Sequence, residues 1–421
     1  MNAPADQLGE AYIDIVWRQF KKNPAAYVSL WLMAPVFLAA IFAPAIASNQ
    51  PFIFFDGDEV IYPWFRAVVN AAEPADFLFN MALLGFFPWA VLAAAGNWWW
   101  KRRGAPGRRR IFRISSLYVL IIVALSIAFS LPQIRPHNRY WSRVFVAEEF
   151  RSRQSSGGES KRGVYPPVPF GPIENDLTAR FEPPMFRKTA DHRDINDGVI
   201  HLLGTDNTGR DVLTRMLYGA RISMTVGFVA VGIYIVIGVF VGAIAGYYGG
   251  VTDMVISRAI EVMLLFPSFF LILTLVALIG PSIYIIMVVI GLTGWPTIAR
   301  LIRGEVLKQR AIDYAAAARA LGAPHWRIIF RHILPNAVSP ALVAAPFGIA
   351  GAIIVEAGLS LLGFGVRPPA PSWGAILRLA ESNYSYWWLI LFPSLAMFFT
   401  VTVFNLVGSG LRDAMDPRLR I

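Results

Sequence analysis

The chain has 421 residues, 56% of them hydrophobic and only 15% charged, whereas soluble domains carry roughly 25% charged residues. That composition excludes a soluble globular protein and predicts an all-α polytopic membrane protein. There is no cysteine, which excludes disulfides and thiolate metal sites. The net charge of +11 gathers beside apolar runs, the positive-inside pattern, and not on a nucleic-acid-binding face.

Residues 1–24 read as a polar leader in which Ile13, Val16, Trp17 and Phe20 fit an amphipathic helix lying on a membrane. Lys21 and Lys22 precede an uncharged run, residues 25–47. Its end, Ala45-Ile46-Ala47, is like a signal-peptidase site, but the run is too long for a signal-peptide core and reads as an uncleaved first span. The lysines put the N-terminus in the cytoplasm. Residues 48–76 carry Asp56, Asp58, Glu59, Glu73 and Asp76 against a lone Arg66, as an external loop would.

Residues 77–134 read as a transmembrane hairpin. Its basic turn holds Lys101, Arg102, Arg103, Arg108, Arg109, Arg110 and Arg113, with Trp98, Trp99 and Trp100 at the membrane interface. Residues 135–210 are rich in Pro, Arg and Ser without sustained periodicity, and read as an external loop or small cap. Within them, 154–162 has a disordered composition and Tyr165–Pro172 an extended one. Gly204 to Asp211 is a turn cluster; Asp206 and Asp211 would suit a cation, but a turn and helix start account for both.

Residues 211–411 hold five further spans. The first, Ile222–Tyr248, places Gly238, Gly242 and Gly246 on one close-packing helix face. Asp253, Arg258 and Glu261 then mark a short turn before Val262–Ile279, which is followed by Ser282–Ala299, Ala337–Phe364 and Tyr386–Leu411. A short external loop holds Pro368, Pro369, Pro371 and Trp373. With the tail 412–421, this makes eight spans and two cytoplasmic termini.

The polar stretch 300–336 interrupts those spans. Asp313 to Leu321 is alanine-rich and helical by propensity, Gly322 can end that helix, and Pro324 can open another. Trp326, Ile329, Phe330 and Ile333 recur at helical spacing with Arg327, Arg331 and His332 off the stripe, and Pro335 is read as the stop.

This stretch resembles the EAA loop of ABC-transporter permeases. Ala317, Ala318, Gly322, Leu334 and Pro335 fall on the family pattern, and Ala316 stands where Glu is usual. Arg331 to Asn336 resembles the peptide branch, as do Gly204 to Arg221 and Leu411 to Leu419. Asn49 to Gly57 and Tyr165 to Pro172 are similar to the Yej peptide/microcin permease, whereas the hairpin departs from the usual six spans. The resemblance implies a type I ABC-importer core in a bacterial inner membrane, importing oligopeptides or peptide-like compounds. It implies a second homologous permease, two ATPase subunits or one fused double ATPase carrying ATP and Mg, and an external substrate-binding protein. It implies no cofactor on this chain, and ATPase docking through Asp313, Tyr314, Ala317, Ala318, Arg319, Gly322, Ala323, Trp326, Arg327 and Pro335.

No Gly-x-x-x-x-Gly-Lys-Ser/Thr motif occurs, so the chain is not the ATPase. His137, His192, His201, His325 and His332 lie in polar segments and read as solvated or interfacial, which leaves no convincing metal set. Glu356 lies inside an apolar span, where a charge is costly; it fits a transport pathway or a structural partner equally. Two rivals remain. One is a permease for nickel or another small solute, disfavoured because the spans lack His and are nearly free of acid. The other is a membrane enzyme using Glu356, Asp206 and Asp211.

Overall fold

The computed structural model describes residues 12–56, 58–71, 73–102, 107–136, 161–187, 200–381 and 384–416. The expectations for 154–160, for His137 and His192, and for the tail beyond Asp416 lie outside them, as do the side chains of Trp98–Trp100 and of Lys101–Arg110.

The helices are α1 (Tyr12–Lys22), α2 (Pro24–Ile41), α3 (Ala43–Ile46), α4 (Pro63–Val69), α5 (Pro74–Arg102), α6 (Gly107–Ser130), α7 (Val212–Tyr248), α8 (Gly250–Leu265), α9 (Ser268–Ile279), α10 (Ile283–Arg310), α11 (Asp313–Ala320), α12 (His325–Arg327), α13 (Leu334–Ala337), α14 (Ser339–Leu361), α15 (Trp373–Arg378) and α16 (Trp388–Met415). Among the described residues, α2, α5, α6, α7, α10, α14 and α16 contain segments long and apolar enough to cross a membrane, and the bent pair α8–α9 makes up to eight. The described residues thus hold seven candidate spans, and the expected eight if the bent pair counts as one.

The fifth span differs from the sequence reading. α8 and α9 meet at 83° and are not one span beginning at Val262. Gly249 and Gly250 both take positive φ (68° and 53°), so the chain turns directly after Tyr248 and α8 restarts at once. Asp253, Arg258 and Glu261 thus lie on a helix and not in a turn. Pro267, without an N–H, sits at the break.

α7 is the axis of the bundle. It opens on Asp211, whose side chain accepts from Thr214 N at 2.8 Å, and it buries Met224, Val226 and Ala230. Against α10 it presents its glycine face. A Cβ on Gly238 would stand 2.6 Å from Ile298 Cβ, one on Gly242 2.5 Å from the Ala299 carbonyl, and one on Gly246 2.7 Å from that of Arg303. Only hydrogen at these positions allows the approach, which substitutes dispersion contact for the hydrophobic drive that lipid does not supply. Ile286 and Ile302 of α10 and Ile353 of α14 complete the dry core.

The leader helix α1 packs on the bundle. Phe20 is buried against Ala26 and Ala414, and Asn23 Nδ2 donates to Asp413 Oδ2 at 3.1 Å. The hairpin is α5 against α6, sealed by Tyr118 donating to the Ala82 carbonyl (2.9 Å) and Trp89 Nε1 to that of Ile114 (2.8 Å). Val119, Leu120, Val123 and Ile127 stand exposed on α6, a face suited to lipid.

At the end of the bundle where α7 begins sits a small β cap. β1 (Ile53–Asp56) pairs antiparallel with β2 (Glu59–Ile61) and with β3 (Arg162–Val164); β4 (Phe186–Arg187) pairs with β5 (Ile200–His201). The segment after β3 is extended and pinned, with Val168 N on the Ile46 carbonyl (2.9 Å) and Ser48 N on that of Val168 (3.0 Å).

Candidate functional site

At the other end of α7, residues 311–337 form a helix, an elbow and a second, irregular helix. Gly322 takes φ 73°, which ends α11 as the sequence implied, and Ala323 N closes the elbow on the Ala318 carbonyl at 3.1 Å. The second helix runs from α12 through a π-helical segment, Ile328–Ile333, into α13. Pro335 is not its stop; it stands in the first turn of α13. Its missing N–H and its ring disfavour ordinary register there, and the ladder widens just before it, with Leu334 N bonding the Ile329 carbonyl.

That wider turn re-sorts the stripe read from sequence. Ile328 and Ile333, five apart, are both fully buried with Ile329, while Trp326 (62%) and Phe330 (46%) face outward. On α11, Ala315 and Ala318 are buried and Tyr314 is half-buried, its hydroxyl donating to Gln309 Oε1 at 2.9 Å. Asp313, Ala317, Arg319, Gly322, Arg327 and Pro335 are exposed, and Ala323 is half-exposed. Leu321, Trp326 and Phe330 therefore form an apolar surface among Arg319, Arg327 and Arg331, with the Arg327 guanidinium 5.6 Å over the Trp326 ring. A Cβ on Gly322 would meet nothing within 4 Å, so the elbow faces open space.

The elbow is tied to α7 by contacts that sequence reasoning did not foresee. The Tyr247 hydroxyl lies 2.7 Å from His325 Nδ1. Arg310 Nη1 donates to the carbonyls of Tyr247 (2.7 Å) and Gly246 (3.3 Å), satisfying the orphan end of α7. Arg319 Nη2 in turn donates to the Arg310 carbonyl at 3.2 Å. Arg303 grips Asp253 of α8 with both arms, one of them Nη2 to Oδ2 at 2.7 Å. The available signal was Gly249-Gly250, which announced a helix end whose carbonyls needed donors.

Glu356 is fully buried on α14 and has no cationic partner among the described residues. It accepts from Ser360 Oγ (2.7 Å), from Ser223 Oγ on α7 (3.1 Å) and from Ser372, just before α15. One carboxylate thus joins three elements. Gly374 makes the closeness possible, since a Cβ there would stand 2.6 Å from Ala357 Cα.

The two aspartates of the turn cluster are fully engaged. Asp206 accepts from Thr208 N (2.8 Å), Arg210 N (3.1 Å) and Arg210 Nε (2.7 Å), with Arg215 Nε at 3.4 Å. Asp211 caps α7 and bonds His201 Nδ1 at 3.0 Å. His201 is a correction: it is 2% exposed and stacked on Phe170, not solvated. Its position in a polar stretch concealed that the cap has an interior of its own. Among the described residues no three His, Asp or Glu side chains are grouped to hold a metal.

Arg221 was also missed, because its charge suggested a place outside the span. It is fully buried in α7. Nε donates to the Ala40 carbonyl (2.6 Å), Nη2 to that of Ile41 (3.2 Å), and Nη1 to Asn80 Oδ1 (2.9 Å) and Asp76 Oδ1 (3.1 Å).

A helical membrane bundle with an exposed, cation-flanked elbow locked to its axial helix defines the transmembrane subunit of a multi-component transporter. Residues 238–421 match the model for the binding-protein-dependent transport system inner membrane component, and residues 12–61 that for the N-terminal TM domain of oligopeptide transport permease C. The chain is 43% identical over 221 residues to a dipeptide transport system permease protein of Alkalihalophilus pseudofirmus, covering 52% of this chain and 73% of that one. It is 42% identical over 233 residues to a glutathione transport system permease protein of Pectobacterium atrosepticum (55% and 77%), and 41% over 222 residues to an oligopeptide transport system permease protein of Haemophilus influenzae (52% and 71%). The chain belongs to the binding-protein-dependent ABC permeases, in their OppC/DppC branch. The hairpin α5–α6 lies between the two matched stretches.

Proposed function

We propose that this chain is the transmembrane permease subunit of an ATP-driven importer of peptides. The observation that carries the coupling role is the elbow at Gly322, exposed toward a partner yet bonded through His325 and Arg310 to the end of α7. The relatives that it resembles are named for dipeptides, oligopeptides and glutathione.

In this reading Asp313, Ala317, Arg319, Gly322, Trp326, Arg327 and Pro335 meet an ATPase subunit on the cytoplasmic side. Tyr314, Ala318 and Ala323 hold the elbow's inner face. ATP and Mg belong to the partner subunits. Closure of the ATPases moves the elbow, and the glycine-packed pair α7–α10 moves with it as one body, so that access alternates around a path shared with a second homologous permease. An external binding protein delivers the substrate at the cap end. Both termini lie in the cytoplasm.

The carboxylate of Glu356 is a structural knot in this scheme and not a lining group, because hydroxyls from three elements consume it. Within the branch, we read Asn49–Gly57 and Tyr165–Pro172 as marks of a Yej-type peptide permease. The decisive experiment is co-purification with the partner permease and ATPase, followed by assay in proteoliposomes with binding protein. Peptide-stimulated ATP hydrolysis and peptide uptake are expected. Stimulation by nickel and not by peptides would favour the small-solute rival.

A further inference from the structure

At the cap end, between the turn cluster that precedes α7 and the loop that follows α14, lies a cavity of about 610 Å³. This is within the usual range for small-ligand sites, roughly 300–1,000 Å³. Asn207, Ser360, Gly365, Pro368, Arg378 and Glu381 are among its lining residues.

Arg378 and Glu381 are exposed, and among the described residues neither side chain forms a hydrogen bond or ion pair, not even with the other. The Arg378 guanidinium rests on the backbone of Gly363, 2.9 Å from where a Cβ would stand. Gly363 has φ 89°, so the residue that favours this backbone also leaves room for the guanidinium.

The wall thus offers one cation and one anion, both unpaired among the described residues, on a lining that is otherwise largely apolar, with Val366, Pro368 and Leu379. A metal would need clustered carboxylates or imidazoles, and a purely hydrophobic ligand would leave both charges without a partner. A short zwitterionic peptide needs what is present: a cation for its α-carboxylate, an anion for its α-amino group and apolar wall for its side chains. The cavity is also joined to the core, since Ser360 on its wall bonds Glu356.

We propose that this cavity is a peptide-terminus site on the permease itself, with Arg378 taking the α-carboxylate and Glu381 the α-amino group of a short peptide. The proposal rests on the peptide-importer reading and deepens it.

The test uses the complete transporter in proteoliposomes with trialanine, its C-terminal amide and its N-acetyl form. Each variant is compared with the wild type on the same compound, so that selection by the binding protein cancels. Arg378→Gln should raise the concentration for half-maximal uptake of trialanine roughly tenfold and leave that of the amide unchanged, with Arg378→Lys restoring most of the loss. Glu381→Gln should do the same for free against acetylated N-termini. Equal effects on paired compounds, or none on either, would overturn the site while leaving the peptide importer standing. A wild-type complex that imports no peptide but does import another solute would remove both.

Discussion

Arg221 Nη1 stands 3.1 Å from Asp76 Oδ1, joining the axial helix of the permease core to the first helix of the hairpin. The guanidinium is wholly buried and the carboxylate about one-fifth exposed (0% and 22%), so the pair forms at the inner edge of a wet surface. The carbonyls of Ala40 and Ile41 take the other arms of the same guanidinium, and the first span, the hairpin and α7 therefore share a single cation. Removal of one partner of a buried pair leaves an uncompensated charge, at a cost of about 3–5 kcal/mol. Partial exposure of Asp76 puts Arg221→Ala at the low end. We expect a lower melting temperature in detergent, partly recovered in the double variant Asp76→Ala/Arg221→Leu, where no charge is stranded. An unchanged melting temperature for Arg221→Ala would show that the hairpin is held by other means.

Gly322→Asp should insert normally and fail to hold the ATPase. The positive φ costs a β-carbon on the order of 1 kcal/mol, too little to unfold the bundle. A carboxylate placed on the open side of the elbow would meet the partner unpaired, which costs several kcal/mol more. Membrane level and ATPase pull-down are the paired measurements. Normal pull-down with normal transport would remove the docking role.

Glu356 distinguishes its two roles by the substituting residue. Glu356→Gln keeps one acceptor oxygen and replaces the other with an NH2 that a rotated serine hydroxyl can accept, and it should transport close to normally. Glu356→Ala strands their hydroxyls in a dry core, about 1–3 kcal/mol, and should lower the amount of folded protein. Abolished transport with a normal level for the glutamine variant would instead require the charge itself.

Tyr247→Phe removes only the hydroxyl that meets His325. The loss of about 1 kcal/mol should leave folding and ATPase binding intact and reduce peptide-stimulated uptake several-fold. ATP hydrolysis and uptake falling in the same proportion would indicate that the contact serves the whole cycle and not the link between its halves.

Orientation can be read by labelling, because the chain contains no cysteine. A single cysteine at Leu177, 60% exposed in the cap, should react with an impermeant reagent outside intact cells, and one at Trp326, 62% exposed, should not. The reverse pattern would invert the topology.

The apolar spans, the elbow at Gly322 and the glycine face were legible in the sequence because each depends on local chemistry: apolar length, the φ freedom of Gly322, the spacing of Gly238, Gly242 and Gly246. What escaped was non-local. Nothing near Arg221 announces that its partners lie some 140 residues earlier, at Asp76 and Asn80 (145 and 141 positions away). His201 looked solvated because its neighbours in sequence are polar, whereas Phe170 covers it in space. The stripe through Trp326 assumed a regular helix, and the π register ahead of Pro335 sent two of its four members outward. The bend at Pro267 was written in plain residues and was passed over because the apolar run continued across it.

α7 has 37 residues and no proline, whereas α2, α5, α10, α14 and α16 each have a proline in their interior. At 1.5 Å per residue it is about 55 Å long, nearly twice the thickness of a hydrocarbon core. Such a shaft has no joint at which rotation can be absorbed. A tilt of roughly 5° about its inner end would swing the outer end by about 5 Å over that length. The outer end carries Arg221, and with it the hairpin; it also carries Ser223, and through Glu356 the loop of the terminus cavity. A tilt of a few degrees at Tyr247 is thus geared up into a displacement of several ångströms at the opposite end.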